Sequence, residues 1–229
     1  ISRQHEWDGI PPYHDDTVTI RLPPRGETGE HDCYVPSGWF TCGGGGDGRS
    51  AFHRQRIWVD AFYMQRFPIT NRQYLVFLND LVARGQEPLA LQCAPRERGS
   101  TAQTQGALIL GFDGVTFTLR PDADGDIWDP EYPVTMIDWH GAMAYADWMG
   151  QRTGHDWRLP TEVEWEKAAR GVDGRIYPWG DRFDPSWACM KDSHSGRLLP
   201  SVVDSYPVDE SPYGVRGLGG NSVDWCLDP

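Results

Sequence analysis

The stretch GHDWRLPTEVEWEKAARG, residues 154–171, decides how this chain is read. It sets Glu162, Glu164 and Glu166 close together, beside Trp157 and Trp165. Carboxylates at that density suggest either an acid/base centre or a helix fastened at its ends, and the spacing favours the helix. Thr161 with Glu164 three residues on is a capping box, in which each side chain satisfies the other residue's backbone N–H. Gly171 supplies the stop. Glu162 sits near the positive end of the helix dipole, and Glu166 stands four residues before Arg170, within ion-pair reach. Trp157 and Trp165 are expected to be buried. A general acid would also need desolvation and a second group across a cleft, and no such partner stands out. The glutamates therefore read as scaffold.

Two more helices are predicted from their ends. In TNRQYLVFLNDLVARG, Thr70 and Gln73 form another capping box, Tyr74, Phe77, Leu78 and Leu81 share one face, and Gly85 ends the run. In DWHGAMAYADWMGQRTG, Asp138 caps, Ala142, Tyr145, Ala146 and Met149 repeat at helical spacing, and Gly154 closes. All three are short, so packing rather than propensity must hold them. Between the first two lies an insertion-like stretch, 86–132, rich in Gly, Arg and Asp. Its DADGDIWDPE carries Asp122, Asp124, Asp126 and Asp129. A calcium loop of the EF-hand type needs Gly at its sixth position and Glu at its twelfth, where Ile127 and Pro133 stand, so a solvated acidic turn is expected.

The glycine run in VPSGWFTCGGGG, residues 35–46, lacks the Gly-Lys-Ser/Thr ending of a phosphate loop and continues into an alternating, strand-like segment. It reads as a turn between two strands. Residues 1–35 are polar and turn-rich and read as a linker or extended lead-in.

The 229 residues suffice for one sizeable core. With 21 Lys plus Arg against 33 Asp plus Glu, the net charge of −12 argues against nucleic-acid and membrane-surface partners. No apolar run has the length of a membrane span, and the first residues lack the features of a signal peptide. A chain opening on Ile and closing on DWCLDP reads as a piece of a longer protein. Gly 26, Pro 18 and Trp 11 point to a turn-rich fold with few short strands and an aromatic core built partly from irregular segments. The five cysteines, at 33, 42, 93, 189 and 226, form no zinc-like pairs. Reduced thiols in a cytoplasmic protein are the expectation, with a Cys33–Cys42 disulfide as the open alternative.

The combination YPVTMIDWHGAMAYADWMGQRTGHDWRLPTEVEWEKAARG, then YPWGD at 177–181 and YGVRGLGGNSVDWC at 213–226, with WVDAFYMQRFPITNRQYLVFLND upstream, resembles the formylglycine-generating enzyme family, or sulfatase-modifying factor domains. The resemblance covers about residues 36–229 and implies a single compact α+β domain with the C-type-lectin-like fold, short helices, few short strands, much irregular structure and bound calcium. In the family's GNAWEW-type turn, two backbone carbonyls and a final acid hold calcium together with an upstream Asn. The matching positions are Gly220, Ser222 and Asp224, with Gly217 at the Asn position, where no side-chain oxygen is offered. The family's other calcium site would fall near 189–196.

The family's enzymes oxidise a substrate cysteine to formylglycine with oxygen and a copper ion held by a C-terminal cysteine pair. That C-terminal end reads as missing here, so no catalytic residue is carried over and copper is expected only if that segment supplies the pair. Two functions follow from the resemblance. One is a non-catalytic ligand-, peptide- or protein-binding module of a larger bacterial protein, as in domains fused to kinases. The other is the copper-dependent oxidase. A related iron-dependent sulfoxide synthase would need a histidine triad, and the seven histidines, His140 among them, are scattered.

Overall fold

The computed structural model describes residues 29, 31–44, 53–99, 106–122, 124–193 and 199–228. The expectations for residues 1–28, for His5, His14 and His194, and for the later part of the glycine run lie outside them.

Four strands lead: β1 (Asp32–Val35), β2 (Gly38–Cys42), β3 (Gln55–Val59) and β4 (Phe62–Gln65). They form two antiparallel ribbons, β1 with β4 and β2 with β3, so that Val35 faces Phe62 and Trp39 faces Trp58. The two-residue period turns Cys33 and Val35 of β1, and Phe40 and Cys42 of β2, into the interior. The last four residues assigned to the lead-in thus belong to the domain. The glycine run does follow β2 and precede its hairpin partner β3, as read.

Helix α1 (Asn71–Ala83) begins at the Thr70–Gln73 capping box and buries Tyr74, Phe77, Leu78 and Leu81. Next come α2 (Glu87–Cys93) and a short ribbon, β5 (Gly111–Phe112) with β6 (Phe117–Thr118). Helix α3 (Trp139–Thr153) starts on Asp138, whose carboxylate accepts from the Gly141 N–H, and ends at left-handed Gly154. Helix α4 (Glu162–Arg170) has the Thr161–Glu164 box and the Gly171 stop. A single 3-10 turn, 185–187, is the last regular element among the described residues.

The main core joins α1, α2 and α3 with Leu110 and Phe117. The stretch read as an insertion is therefore part of the core: Ala90, Cys93 and Ala94 sit inside it, and the Tyr74 hydroxyl donates to the Cys93 carbonyl at 2.9 Å. Its acidic turn closes on itself, Asp122 accepting from the backbone of Asp124 and Asp126 and from the Trp128 indole. Two smaller clusters lie under α4, around Val35 and Val215 and around Phe40 and Val59. No helix among the described residues is long and apolar enough to cross a membrane.

Candidate functional site

The opening glutamates are structural. Glu164 closes its capping box and takes both guanidinium nitrogens of Arg158, at 2.6 and 2.7 Å. That pairing outweighs the cost of burial and holds the Glu164 carboxyl below its usual range. Glu166 pairs with Arg170 and accepts from the Gly43 N–H at 2.8 Å and the Cys42 thiol at 2.9 Å. Glu162 is exposed, while its backbone N–H donates to Asp228.

The tryptophans correct the expectation of burial: Trp157 and Trp165 are only partly covered. The inward face of α4 is Lys167, Ala168 and Ala169. Both indoles spend their N–H groups on acceptors, Trp157 on the Thr153 hydroxyl at the end of α3 and Trp165 on Asp224.

That last bond leads to the predicted metal turn. Gly219 donates to both oxygens of Asp209, at 3.0 and 3.1 Å. A Cβ on Gly220 would come within 2.4 Å of the Cys189 carbonyl oxygen, so only glycine fits there. Asn221, at φ 76°, donates its N–H to that same carbonyl and clamps the backbone N–H and C=O of Ser201 with its amide, each at 2.8 Å. Left-handed backbone suits asparagine better than most residues.

Beyond this clamp the chain offers oxygens with few partners. Among the described residues no donor reaches the carbonyls of Gly220 or Ser222. One Asp224 oxygen accepts from Trp165 at 2.9 Å, whereas the other has only the Ser222 hydroxyl at 3.5 Å, too long for a good bond. Burial pushes the Asp224 carboxyl above its ordinary value, and the indole N–H offsets that only in part. A partly covered carboxylate short of positive charge, beside two carbonyls on a tight turn, is a donor set that suits a hard cation such as Ca²⁺. Gly217 sits at φ 77° against Pro68 and adds no oxygen from a side chain. No group of three His, Cys, Asp or Glu side chains that could hold a metal is present among the described residues. A cation here would depend on carbonyls.

The thiols form the opposite case. All five are free, and Cys33 and Cys42 stand in separate ribbons and separate clusters, so the alternative disulfide is not formed. Only Cys226 is more than marginally exposed. Burial pushes the thiols of Cys93 and Cys226 to about 11 and that of Cys42 to about 12, with Glu166 adding to the last. The copper site that the resemblance implies needs a pair of accessible thiols, and four of these five are buried, so these cysteines do not fit it.

Buried charges were missed, Lys167 and Asp209 the deepest among the described residues. Lys167, 1% exposed, donates to the carbonyls of Pro36, Gly38 and Val59 at 2.6–3.3 Å. The signal was available: Lys167 lies four residues after Val163 on the face of α4 that turns inward. Asp209, 2% exposed, is pushed up to about 6 by burial, against the Gly219 N–H and Arg216. It comes from SYPVDESPYG, where no period points to its orientation.

Comparison with known proteins agrees with this architecture. Residues 20–229 match the model of the sulfatase-modifying factor enzyme 1-like domain. The chain is 26% identical over 219 residues to the bovine formylglycine-generating enzyme, covering 85% of this chain and 56% of that protein. It is 29% identical over 199 residues to the serine/threonine-protein kinase Pkn1 of Chlamydia trachomatis, covering 85% of this chain but 27% of the kinase. The chain thus spans between about a quarter and just over half of these relatives. Among solved structures, PvdO from Pseudomonas aeruginosa superimposes with a TM-score of 0.62 at 21% identity, over 86% of this chain and 70% of PvdO. That likeness shows the shared α+β fold.

Proposed function

Because the chain belongs to the sulfatase-modifying factor enzyme 1-like domain family, we propose that it serves as a non-catalytic protein- or peptide-binding module of a larger bacterial protein, with calcium as a structural ion. The observation that carries this reading is the state of the thiols: four of five are buried, and the half-buried fifth is pushed up to about 11. Buried, protonated sulfur is a poor nucleophile and a poor copper ligand. The kinase relative, in which a similar stretch occupies about a quarter of the protein, supports a role as an appended module. Free cysteines go with a reducing, cytoplasmic setting.

In the calcium part of the proposal, the carbonyls of Gly220 and Ser222 and the carboxylate of Asp224 hold the ion. Its charge would neutralise Asp224 and tie the last turn to α4 through Trp165. Trp165 positions the acid, and Asn221 holds the turn against Ser201.

A second reading, the copper-dependent oxidase, is favoured by the likeness to the bovine enzyme; its thiol pair would have to be other than these five cysteines. Incubation of the chain with copper, oxygen and a cysteine-containing peptide, followed by mass spectrometry, separates the two. The module reading expects the peptide unchanged. Conversion of its CH2SH group to an aldehyde, dependent on the protein, would overturn that reading.

A further inference from the structure

The module reading leaves open where a peptide would sit, and the outer face of α1 offers a place. A shallow groove runs there between α1 and β6, lined by Arg72, Leu75, Val76, Thr118, Leu119 and Arg152. On its helical wall Leu75 and Val76 form an apolar strip between Arg72 and the Asn79–Asp80 pair, and Val76 is left 50% exposed.

The opposite wall is a strand edge. In the β5–β6 ribbon, the Asp113 N–H bonds to the Thr116 carbonyl and Gly111 pairs with Thr118. In antiparallel pairing this alternation turns the N–H and C=O of Phe117 and Leu119 away from β5. At Phe117 the edge is already met by a side chain that imitates a strand. Asn79 accepts the Phe117 N–H at 2.7 Å and donates to its carbonyl at 3.1 Å. At Leu119, two residues along, no partner among the described residues meets either group. The Thr118 hydroxyl, buried in the same wall, also lacks one. Open backbone groups beside an apolar surface are what an added strand pairs with.

Charge selects the occupant. In a chain of net charge −12, this groove carries two arginines. Arg72 is paired with Glu131, but Arg152 lies over the Trp148 ring at 4.8 Å with no carboxylate within ion-pair distance among the described residues. The one acid in the lining, Asp80, is already held by the Trp148 indole and by Arg84.

We propose that the groove between α1 and β6 binds an extended peptide that adds a strand at Leu119, sets an apolar side chain on Val76 and places an acidic side chain on Arg152. The proposal rests on the reading of the domain as a binding module and names its site and the class of its partner.

A phage-displayed library of random peptides, selected on the chain as it stands, tests it. The expected peptides carry Asp or Glu near an apolar residue. Val76→Asp should weaken their binding roughly tenfold or more, with a melting temperature close to that of the parent because Val76 is half exposed. Arg152→Glu should shift selection from acidic to basic peptides. Hydrogen exchange at the Leu119 amide should slow when a selected peptide is bound. Equal binding of the same peptides by parent and both variants, with Leu119 unprotected, would overturn the site and leave the module reading standing. Failure of the parent to select any peptide would overturn both.

Discussion

Two regions of this molecule are held together by different physics. Around α1 and α3 the interior is a contiguous set of rings: Tyr74, Phe77, Tyr145 and Trp148 pack with centroids 5.2–5.6 Å apart. Under α4 and along the irregular chain that follows, the apolar clusters are small, and charged and amide side chains go inward to bind backbone. Lys167 reaches three carbonyls; Arg170 reaches those of Gly43, Gly174 and Arg175; Asn221 clamps Ser201. The reason lies in the backbone. A helix satisfies its own N–H and C=O groups and can leave its contact face to hydrocarbon, whereas buried irregular chain has to find partners in side chains.

That contrast can be broken by substitution, beginning where the largest loss is expected. Phe77→Ala empties the centre of the ring cluster and should lower stability by about 3–5 kcal/mol, read from chemical denaturation. Loss of less than about 1 kcal/mol would mean that this core is not the principal one.

Lys167→Met removes the donor from three buried carbonyls and should cost about 1–3 kcal/mol. Its pH signature sharpens the assignment. Burial lowers the Lys167 ammonium to about 8, against an ordinary value of 10.5. The unfolded chain then binds more protons across that window, so stability relative to Lys167→Met should rise between those limits and be flat below them. A parallel pair of curves would show that Lys167 is not desolvated.

Asp209 has the opposite sign. Its folded carboxyl titrates near 6 and its unfolded one near 3.8, so the native state holds the extra proton between them. Relative to Asp209→Asn, the protein should therefore lose stability as pH rises from 3.8 to 6 and lose no more above it. The span amounts to roughly 2–3 kcal/mol, measured as paired melting curves across that range.

Legibility in the sequence follows the same division. The helix ends were readable because caps are local: Thr70, Asp138 and Thr161 act within three residues of themselves. The buried face of α1 was readable from its period. The fold itself was readable from motifs in their order, and the family match bears that out. Segment 86–132 was misjudged because Ala90, Cys93 and Leu110 contribute to the core singly, from a short helix and a loop, with no period to mark them. Trp157 and Trp165 were misjudged because a ring with a polar N–H often stays at a margin where that group finds an acceptor. In the candidate site, Gly220, Ser222 and Asp224 were named from the resemblance. That Asp224 is steadied by Trp165, and that Asn221 is committed to Ser201, depends on contacts 59 and 20 residues apart in sequence, which spacing does not show.

The turn at 220–224 draws the two regions' difference to one point, for it holds a partly covered carboxylate whose only strong donor among the described residues is an indole. The direct measurement is the melting curve of the chain in millimolar calcium and in chelator. Binding to the native state alone adds about 2.7 kcal/mol at a hundredfold excess over Kd, so calcium should raise the midpoint by several degrees. Asp224→Asn keeps an acceptor for Trp165 while removing the charge, and it should abolish the response. Overlay of the parent's two curves would contradict the account, leaving the Asp224 turn held by Trp165 without an ion.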